Sequence, residues 1–459
     1  QVKRFPEEER NPAKNPAFRE LVVAYRVLSD PERRAAYDKT RVTSTVGASE
    51  ALMVQLLVSQ PELPAMAEDQ VLYLLLSVSA NPALVGKKPA VNLSLVIDRS
   101  TSMEGARIRE VKAAASAIVD QLERPDSLSL ITFSDRAQAV VPAMRVDNKP
   151  LIKSRISQIS TGGATEILRG LQMALTELHK ARRGSQVSHL ILLTDWRTYG
   201  DAEGCIELAI KAAAEGIGIS ALGIGHEWND LFLDALVAPS GGSSAYLEGP
   251  ERIDSYLAER LRSLGQSFAQ DLHLRLELSP RISVRSVDML SPSPHPMAHS
   301  GRSMAVGMLQ HNAPLSMLAE LIVQPHSPGE TSRVKADISA NIISTGQRAQ
   351  HFCSELQLSF EHNPPVRPPL PAVERAVNKV NLYRMSEKAR EEAEQGQIQQ
   401  ATRRMKRVAT HLLNVGHGQL AQAALDEAVH IARTGDLSVT GRKRLKYGTR
   451  ALIADDNLS

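Results

Sequence analysis

The chain has 459 residues, 42% of them hydrophobic and 23% charged, which is typical of a soluble globular protein with about three domains. A formal net charge of +3 gives no indication of nucleic-acid binding, and two cysteines in unrelated segments exclude a disulfide framework. No apolar run reaches the about 18 residues of a membrane span, and no signal peptide is visible, so we expect a cytoplasmic protein that does not enter a membrane.

Residues 1–45 are charged and follow a helical pattern. Apolar residues recur at helical spacing from Phe18 to Leu28, and Asp30-Pro31 then ends one helix and begins another. The stretch AYRVLSDPERRAAYD resembles the second half of a J-domain, a co-chaperone module. The His-Pro-Asp tripeptide of that family is missing, since the first histidine of the chain is His179. We predict a partial, degenerate J-domain-like segment in a chaperone-related assembly, with a plain helical hairpin as the alternative.

Strand-like runs occur on both sides of the middle of the chain. Residues 46–89 contain EALMVQLLVSQ and QVLYLLLSVS, and residues 265–362 contain runs that alternate apolar and polar residues, as from Leu272 to Leu278. Such alternation is typical of antiparallel sheets with one buried face. We expect the early strands to join the later ones, so that the segment between them is inserted in an antiparallel β-sandwich.

Residues 90–264 alternate between apolar strands and amphipathic helices. The strands include VNLSLVID, SLSLITFSD, QAVVPAM, VSHLILLTD and IGISALGIG. An apolar stripe from Ile167 to Leu178 marks one of the helices between them. This pattern predicts an α/β domain with a doubly wound, mostly parallel sheet and helices on both faces.

The C-terminal part of the chain is predicted to be helical. Residues 363–371 (NPPVRPPLP) form a Pro-rich linker, and residues 372–459 contain helical stretches separated by glycines. Two basic helical faces run from Arg403 to Arg407 and from Arg442 to Lys446. We interpret both as solvent-facing, with contact to an acidic protein or to a nucleic acid as the alternative. Few aromatic residues lie nearby to stack bases, which argues against nucleic acid as a partner.

Oxygen-bearing side chains follow three segments of the predicted α/β domain. They are Asp98, Ser100 and Ser102 in VIDRSTSM, Thr165 in TGGATEI, and Asp195 at the end of VSHLILLTD. Alternate residues of a loop can point the same way, and open α/β sheets hold their ligands at the carboxyl ends of strands. Because hard divalent cations prefer oxygen ligands, we predict that these residues form a metal site with one coordination position left for a partner.

The order Asp-x-Ser-x-Ser, then Thr, then Asp resembles the metal-ion-dependent adhesion site (MIDAS) of von Willebrand factor A (VWA) domains. The layout of the chain is similar to that of bacterial intracellular VWA proteins. The resemblance implies a Rossmann-like fold, Mg²⁺ (or Mn²⁺ or Ca²⁺) as the cofactor, and a protein partner that offers an Asp or Glu side chain to the metal. It implies a metal-dependent interaction module in a multidomain scaffold, without catalytic residues, rather than an enzyme.

One residue departs from the family's pattern. VWA domains usually have Gly directly after the last Asp, whereas this chain has Trp196, whose indole can cap or weaken the site. A structural or assembly subunit with a disabled site is therefore an alternative. A metal-dependent hydrolase is a weaker one, because the site offers one metal and no general base beyond its own ligands.

Overall fold

The computed structural model describes residues 51–82, 84, 88–184, 186–195, 200–225, 228–297, 303–365 and 367–454. The predicted J-domain-like segment at 1–45 and Trp196 lie outside the described residues.

The strands and helices follow one another in three blocks. In chain order the strands are β1 (Leu52–Val58), β2 (Glu62–Pro64), β3 (Gln70–Ala80), β4 (Val91–Asp98), β5 (Ser127–Phe133), β6 (Ala137–Arg145), β7 (Val187–Thr194), β8 (Gly218–Ile224), β9 (Ser244–Leu247), β10 (Ser267–Leu278), β11 (Ile282–Ser291), β12 (His295–Met297), β13 (Met304–Gln310), β14 (Leu315–Val323), β15 (Thr331–Ile342) and β16 (Gln347–Glu361). The α-helices are α1 (Ala106–Gln121), α2 (Lys149–Ser157), α3 (Ile167–Ala181), α4 (Ala202–Ala214), α5 (Asp230–Val237), α6 (Ile253–Gly265), α7 (Pro371–Glu394), α8 (Ile398–Asn414), α9 (Gly418–Thr434) and α10 (Val439–Ala454).

The early and late strands form one β-sandwich. One five-stranded sheet has the order β1-β3-β14-β11-β12, and the other has the order β13-β10-β15-β16-β2. β3 pairs with β14 in an antiparallel register from Gln70 opposite Val323 to Val78 opposite Leu315. Alternate side chains of both sheets, including Leu321, pack into a single apolar core. The α/β domain is therefore inserted between β3 and β10, and the predicted fold class is confirmed.

The inserted domain has a six-stranded sheet with the order β6-β5-β4-β7-β8-β9. Neighbouring strands are parallel, except that the edge strand β6 is antiparallel to β5. Every residue of β4, β5 and β7 is buried, because helices cover both faces of the sheet. β4 lies between β5 and β7, so the chain continues on one side of β4 and later returns on the other. This is the switch point at which a doubly wound sheet opens a crevice.

The C-terminal region is helical, as predicted, and packs on the sandwich through α7. Val373 and Ala376 of α7 share a buried cluster with Leu75 and Leu318 of the sandwich. The guanidinium of Arg384, also on α7, reaches buried carboxylates of β11 and β14 beside this cluster. In the described part of the chain, no helix is long and apolar enough to cross a bilayer.

The prediction that the basic face from Arg442 to Lys446 is solvent-facing is wrong. Lys443 and Lys446 are only 0% and 3% exposed. The Nζ atom of Lys446 lies 2.7 Å from carboxylate oxygens of both Asp230 and Asp234 on α5. These two lysines are buried because α10 packs against an acidic helix of the inserted domain, whereas Arg444 is exposed. By contrast, Arg403, Lys406 and Arg407 on α8 are exposed, as predicted.

Candidate metal centre

The strand order brings the two candidate aspartates to the same edge of the sheet. β4 ends at Asp98, and β7 ends at Thr194, so Asp195 is the first residue beyond its strand. The two strands are parallel neighbours, with Ile97 opposite Leu193. Their carboxyl ends therefore lie side by side, and both aspartates are completely buried there.

The loop after β4 folds back over the strand ends. The backbone N–H of Ser100 donates to Asp98 Oδ1 at 2.9 Å, and Thr101–Met103 form a single 3-10 turn. The Oγ atoms of Ser100 and Ser102 are 3.0 Å apart, and Ser102 Oγ donates to Asp195 Oδ1 at 2.8 Å. A continuous hydrogen-bonded cluster therefore joins two carboxylates and two hydroxyls from both strand ends.

Thr165 lies on a neighbouring loop, directly before α3. The N–H of Gly162 donates to Arg99 O at 2.8 Å, which fastens this loop to the one after β4. Gly163 has a φ of 91°, and a Cβ at this position would overlap the side chain of Asp135. A glycine is therefore needed where this loop passes Ser134 and Asp135 at the end of β5. Thr165 is buried on this loop, and its hydroxyl is not part of the hydrogen-bonded set.

Two further residues belong to the site and were missed by sequence reasoning. The Thr194 hydroxyl donates to Asp98 Oδ2 at 2.8 Å. Arg107, in the first turn of α1, donates from Nη1 to Ser102 O at 3.0 Å and forms an ion pair with Asp195 Oδ2. A threonine at the end of a buried strand gives a weak signal for such a role. Arg107 gives none, because its partner is 88 positions away.

The electrostatics of the site are dominated by burial of negative charge. Burial raises the pKa of Asp98 to about 6, although hydrogen bonds from Ser100 and Thr194 act in the opposite direction. Burial also raises the pKa of Asp195, against the lowering effects of Ser102 and Arg107. Two desolvated carboxylates at one point therefore have too little positive charge around them, and a cation would stabilise their ionised forms.

The donor set fits a hard divalent cation. Carboxylate and hydroxyl oxygens are the ligands that Mg²⁺ accepts, whereas soft metals prefer thiolates or imidazoles. Among the described residues, no three His, Cys, Asp or Glu side chains converge on one point. A metal at this edge of the sheet would therefore depend on the serine and threonine hydroxyls as well as on the two aspartates.

The fold and the loop arrangement define a known class of domain. The family model of the von Willebrand factor type A domain matches residues 92–249, and the inserted domain is a VWA domain. The model of the Sll0103-like C-terminal alpha-helical domain matches residues 371–455, so the VWA domain is followed by a helical domain of that family.

The chain is also similar to individual proteins over part of its length. It is 34% identical over 246 residues to the protein named "Uncharacterized protein sll0103" of Synechocystis sp., which covers 52% of this chain and 58% of that protein. It is 28% identical over 262 residues to inter-alpha-trypsin inhibitor heavy chain H4 of Bos taurus, which covers 54% of this chain and 28% of that protein. The chain therefore spans little more than half of the first relative and a smaller share of the second.

Solved structures share the fold beyond the VWA domain. A von Willebrand factor type A protein from Catenulispora acidiphila has a TM-score of 0.70 at 16% identity, covering 89% of this chain and 98% of that chain. The ArnB paralog VWA2 from Sulfolobus acidocaldarius has a TM-score of 0.55 at 14% identity, covering 89% of this chain and 100% of that chain. The combination of domains in this chain is therefore a fold that other proteins also have.

Proposed function

We propose that the chain is a non-catalytic interaction module that holds a divalent metal, in the first place Mg²⁺, and binds an acidic residue of a protein partner through it. The residues that would hold the metal are Asp98, Ser100, Ser102, Thr165 and Asp195. The observation that supports this most strongly is the hydrogen-bonded cluster of Ser100, Ser102 and Asp195 at the switch point of the sheet.

Each part of the site would contribute one property to binding. The bound metal would supply the positive charge that attracts a carboxylate of the partner. Asp98 and Asp195 are rigidly held by hydrogen bonds, so their charge stays at the strand ends without a loss of side-chain freedom on binding. A role for Thr165 is supported by the hydrogen bond from the N–H of Gly162 to Arg99 O, which joins the loop of Thr165 to the loop after β4.

The proposal that the module is not an enzyme is supported by the surroundings of the hydroxyls. Ser100 and Ser102 contact each other, and Ser102 donates to Asp195. Within the described residues, no histidine contacts either serine, so the pair of nucleophile and base that acyl transfer uses is not assembled there.

A location inside the cell and a role in a scaffold are further parts of the proposal. Cys205 is buried and Cys353 is exposed, and both are free thiols, as is common in a reducing compartment. The chaperone-related assembly is supported by the J-domain-like sequence at 1–45 alone. Assembly through the basic face of α10 is not supported, because Lys443 and Lys446 are buried within the chain.

An array of synthetic peptides tests the metal and the carboxylate together. Pairs of peptides that differ only by Asp or Asn at one position would be screened with the purified chain in Mg²⁺ and in EDTA. We expect some Asp peptides to bind in Mg²⁺ only, their Asn counterparts to bind at least about tenfold more weakly, and the Asp98→Asn variant to bind neither. Binding that is the same in EDTA, or the same for Asp and Asn, would contradict the proposal.

A further inference from the structure

Arg107 is the one described cation that contacts the carboxylates of the candidate metal centre. Its guanidinium forms an ion pair with Asp195 Oδ2 and donates to Ser102 O at 3.0 Å. The other oxygen of Asp195 accepts from Ser102 Oγ at 2.8 Å. Both oxygens of Asp195 are therefore already bonded within the protein, and a metal that uses Asp195 has to take the place of one of these bonds.

Of the two partners in this ion pair, Arg107 is the one that can move. The Arg107 side chain is 33% exposed, whereas the Asp195 side chain is 0% exposed. A guanidinium that turns outward is hydrated again at once, while the buried carboxylate has no route to water. Replacing Arg107 by another cation at Asp195 therefore costs less free energy than moving Asp195 itself.

A glycine next to Arg107 leaves room for the guanidinium in the position where it pairs with Asp195. Gly225, just after β8, has a φ of 74°, and a Cβ there would lie 3.0 Å from Arg107 Nη2. That distance is tighter than ordinary van der Waals contact. The glycine thus keeps space for the guanidinium between α1 and the end of β8.

We propose that Arg107 is a built-in counter-ion that competes with the divalent metal for Asp195. In the metal-free protein it neutralises the buried carboxylate, and when the metal binds it turns out to solvent. The inference rests on the proposed metal site and adds a residue that sets its affinity. It predicts that the chain binds metal more weakly than the same oxygen ligands would without Arg107.

Metal affinity of matched variants tests this directly. Mn²⁺ binding would be measured by calorimetry for the parent, for Arg107→Gln and for Arg109→Gln. Arg109 is exposed on the same helix, so its replacement removes an equal charge without touching Asp195. We expect Arg107→Gln to bind Mn²⁺ about tenfold more tightly, since a charge-assisted hydrogen bond no longer has to be broken, and Arg109→Gln to stay within about twofold of the parent.

Melting temperatures provide a second readout. In EDTA, Arg107→Gln should melt below the parent because Asp195 has lost its cation, and saturating Mn²⁺ should close that gap. Arg107→Lys keeps the positive charge but loses the guanidinium, whose several N–H groups reach Ser102 O and Asp195 together. Its Mn²⁺ affinity should therefore fall between that of the parent and that of Arg107→Gln.

The possible failures can be told apart. If the parent and Arg107→Gln bind Mn²⁺ equally, or Arg107→Gln binds it more weakly, the competition is refuted while the metal site stands. If the parent, Arg107→Gln and Arg109→Gln all fail to bind Mn²⁺, the metal-dependent function and the competition are both refuted.

Discussion

At the scale of single residues, Asp98 and Asp195 are stabilised in different ways. Asp98 accepts from the N–H of Ser100 and the hydroxyl of Thr194, which are neutral donors. Asp195 accepts from Ser102 and is also paired with Arg107. Among the described residues, Asp98 thus has no cation in contact, and burial raises its pKa to about 6. An added metal charge would therefore stabilise the ionised carboxylate of Asp98 more than that of Asp195.

His189 gives a prediction about pH. The ring is buried in β7, its Nε2 lies 2.9 Å from Ser220 Oγ, and burial lowers its pKa to about 3. Below the ordinary histidine pKa of about 6.5, the unfolded chain takes up a proton at this position and the folded chain does not. Stability from this residue is therefore lost as the pH falls from about 6.5 towards 3, at about 1.4 kcal/mol per pH unit.

The comparison of one variant with the parent isolates that contribution. The difference in unfolding free energy between the parent and His189→Gln, measured by urea denaturation, should shrink by about 2 kcal/mol between pH 7 and pH 5. A constant difference for His189→Gln would show that the ring is protonated in the folded protein.

At the scale of elements, α5 and α10 are joined by a buried ionic contact. Besides Lys446, Arg442 lies 2.5 Å from Asp230 and Arg450 lies 2.8 Å from Asp234. Burial alone would raise the pKa of Asp230, but Lys446 and then Arg442 outweigh it and hold that pKa below its usual range. Because these charges are desolvated, each depends on its partner, and the contact fixes how the helical domain lies against the VWA domain.

Removal of one charge from this contact should be strongly destabilising. Lys446→Met leaves the buried Asp230 and the partly buried Asp234 with a single guanidinium each, which should lower the free energy of unfolding by about 3 kcal/mol. Urea denaturation followed by circular dichroism measures this loss. The exposed Arg403 supplies the control, since Arg403→Met should change stability by less than about 0.5 kcal/mol. Equal effects of the two variants would mean that the ionic contact does not hold α10 in place.

At the scale of the whole molecule, the sequence predicts those features that depend on local pattern. The alternation in β10 predicts a half-buried strand, and the continuous apolar runs of β4 and β7 predict central strands of a parallel sheet. The spacing of Asp98, Ser100 and Ser102 predicts a loop that turns alternate side chains to one point.

Features that arise from distant contacts could not be predicted in this way. Arg107 meets Asp195 across 88 positions, and Lys446 meets Asp230 across 216 positions. A basic helical face has the same sequence pattern whether it faces water or an acidic helix, so only the folded structure distinguishes the two cases. For the same reason, the role of Thr194 depends on which strand lies beside β7.

The most direct test of the account is thermal unfolding of the purified chain in Mg²⁺ and in EDTA, with Asp98→Asn beside the parent. A ligand that binds only the folded state at a hundredfold excess over its Kd adds about 2.7 kcal/mol of stability. For the parent we expect the melting temperature to rise by about 5 °C in Mg²⁺, and for Asp98→Asn we expect no rise. An unchanged melting temperature in the parent, or an equal rise in both proteins, would contradict a metal site built on Asp98.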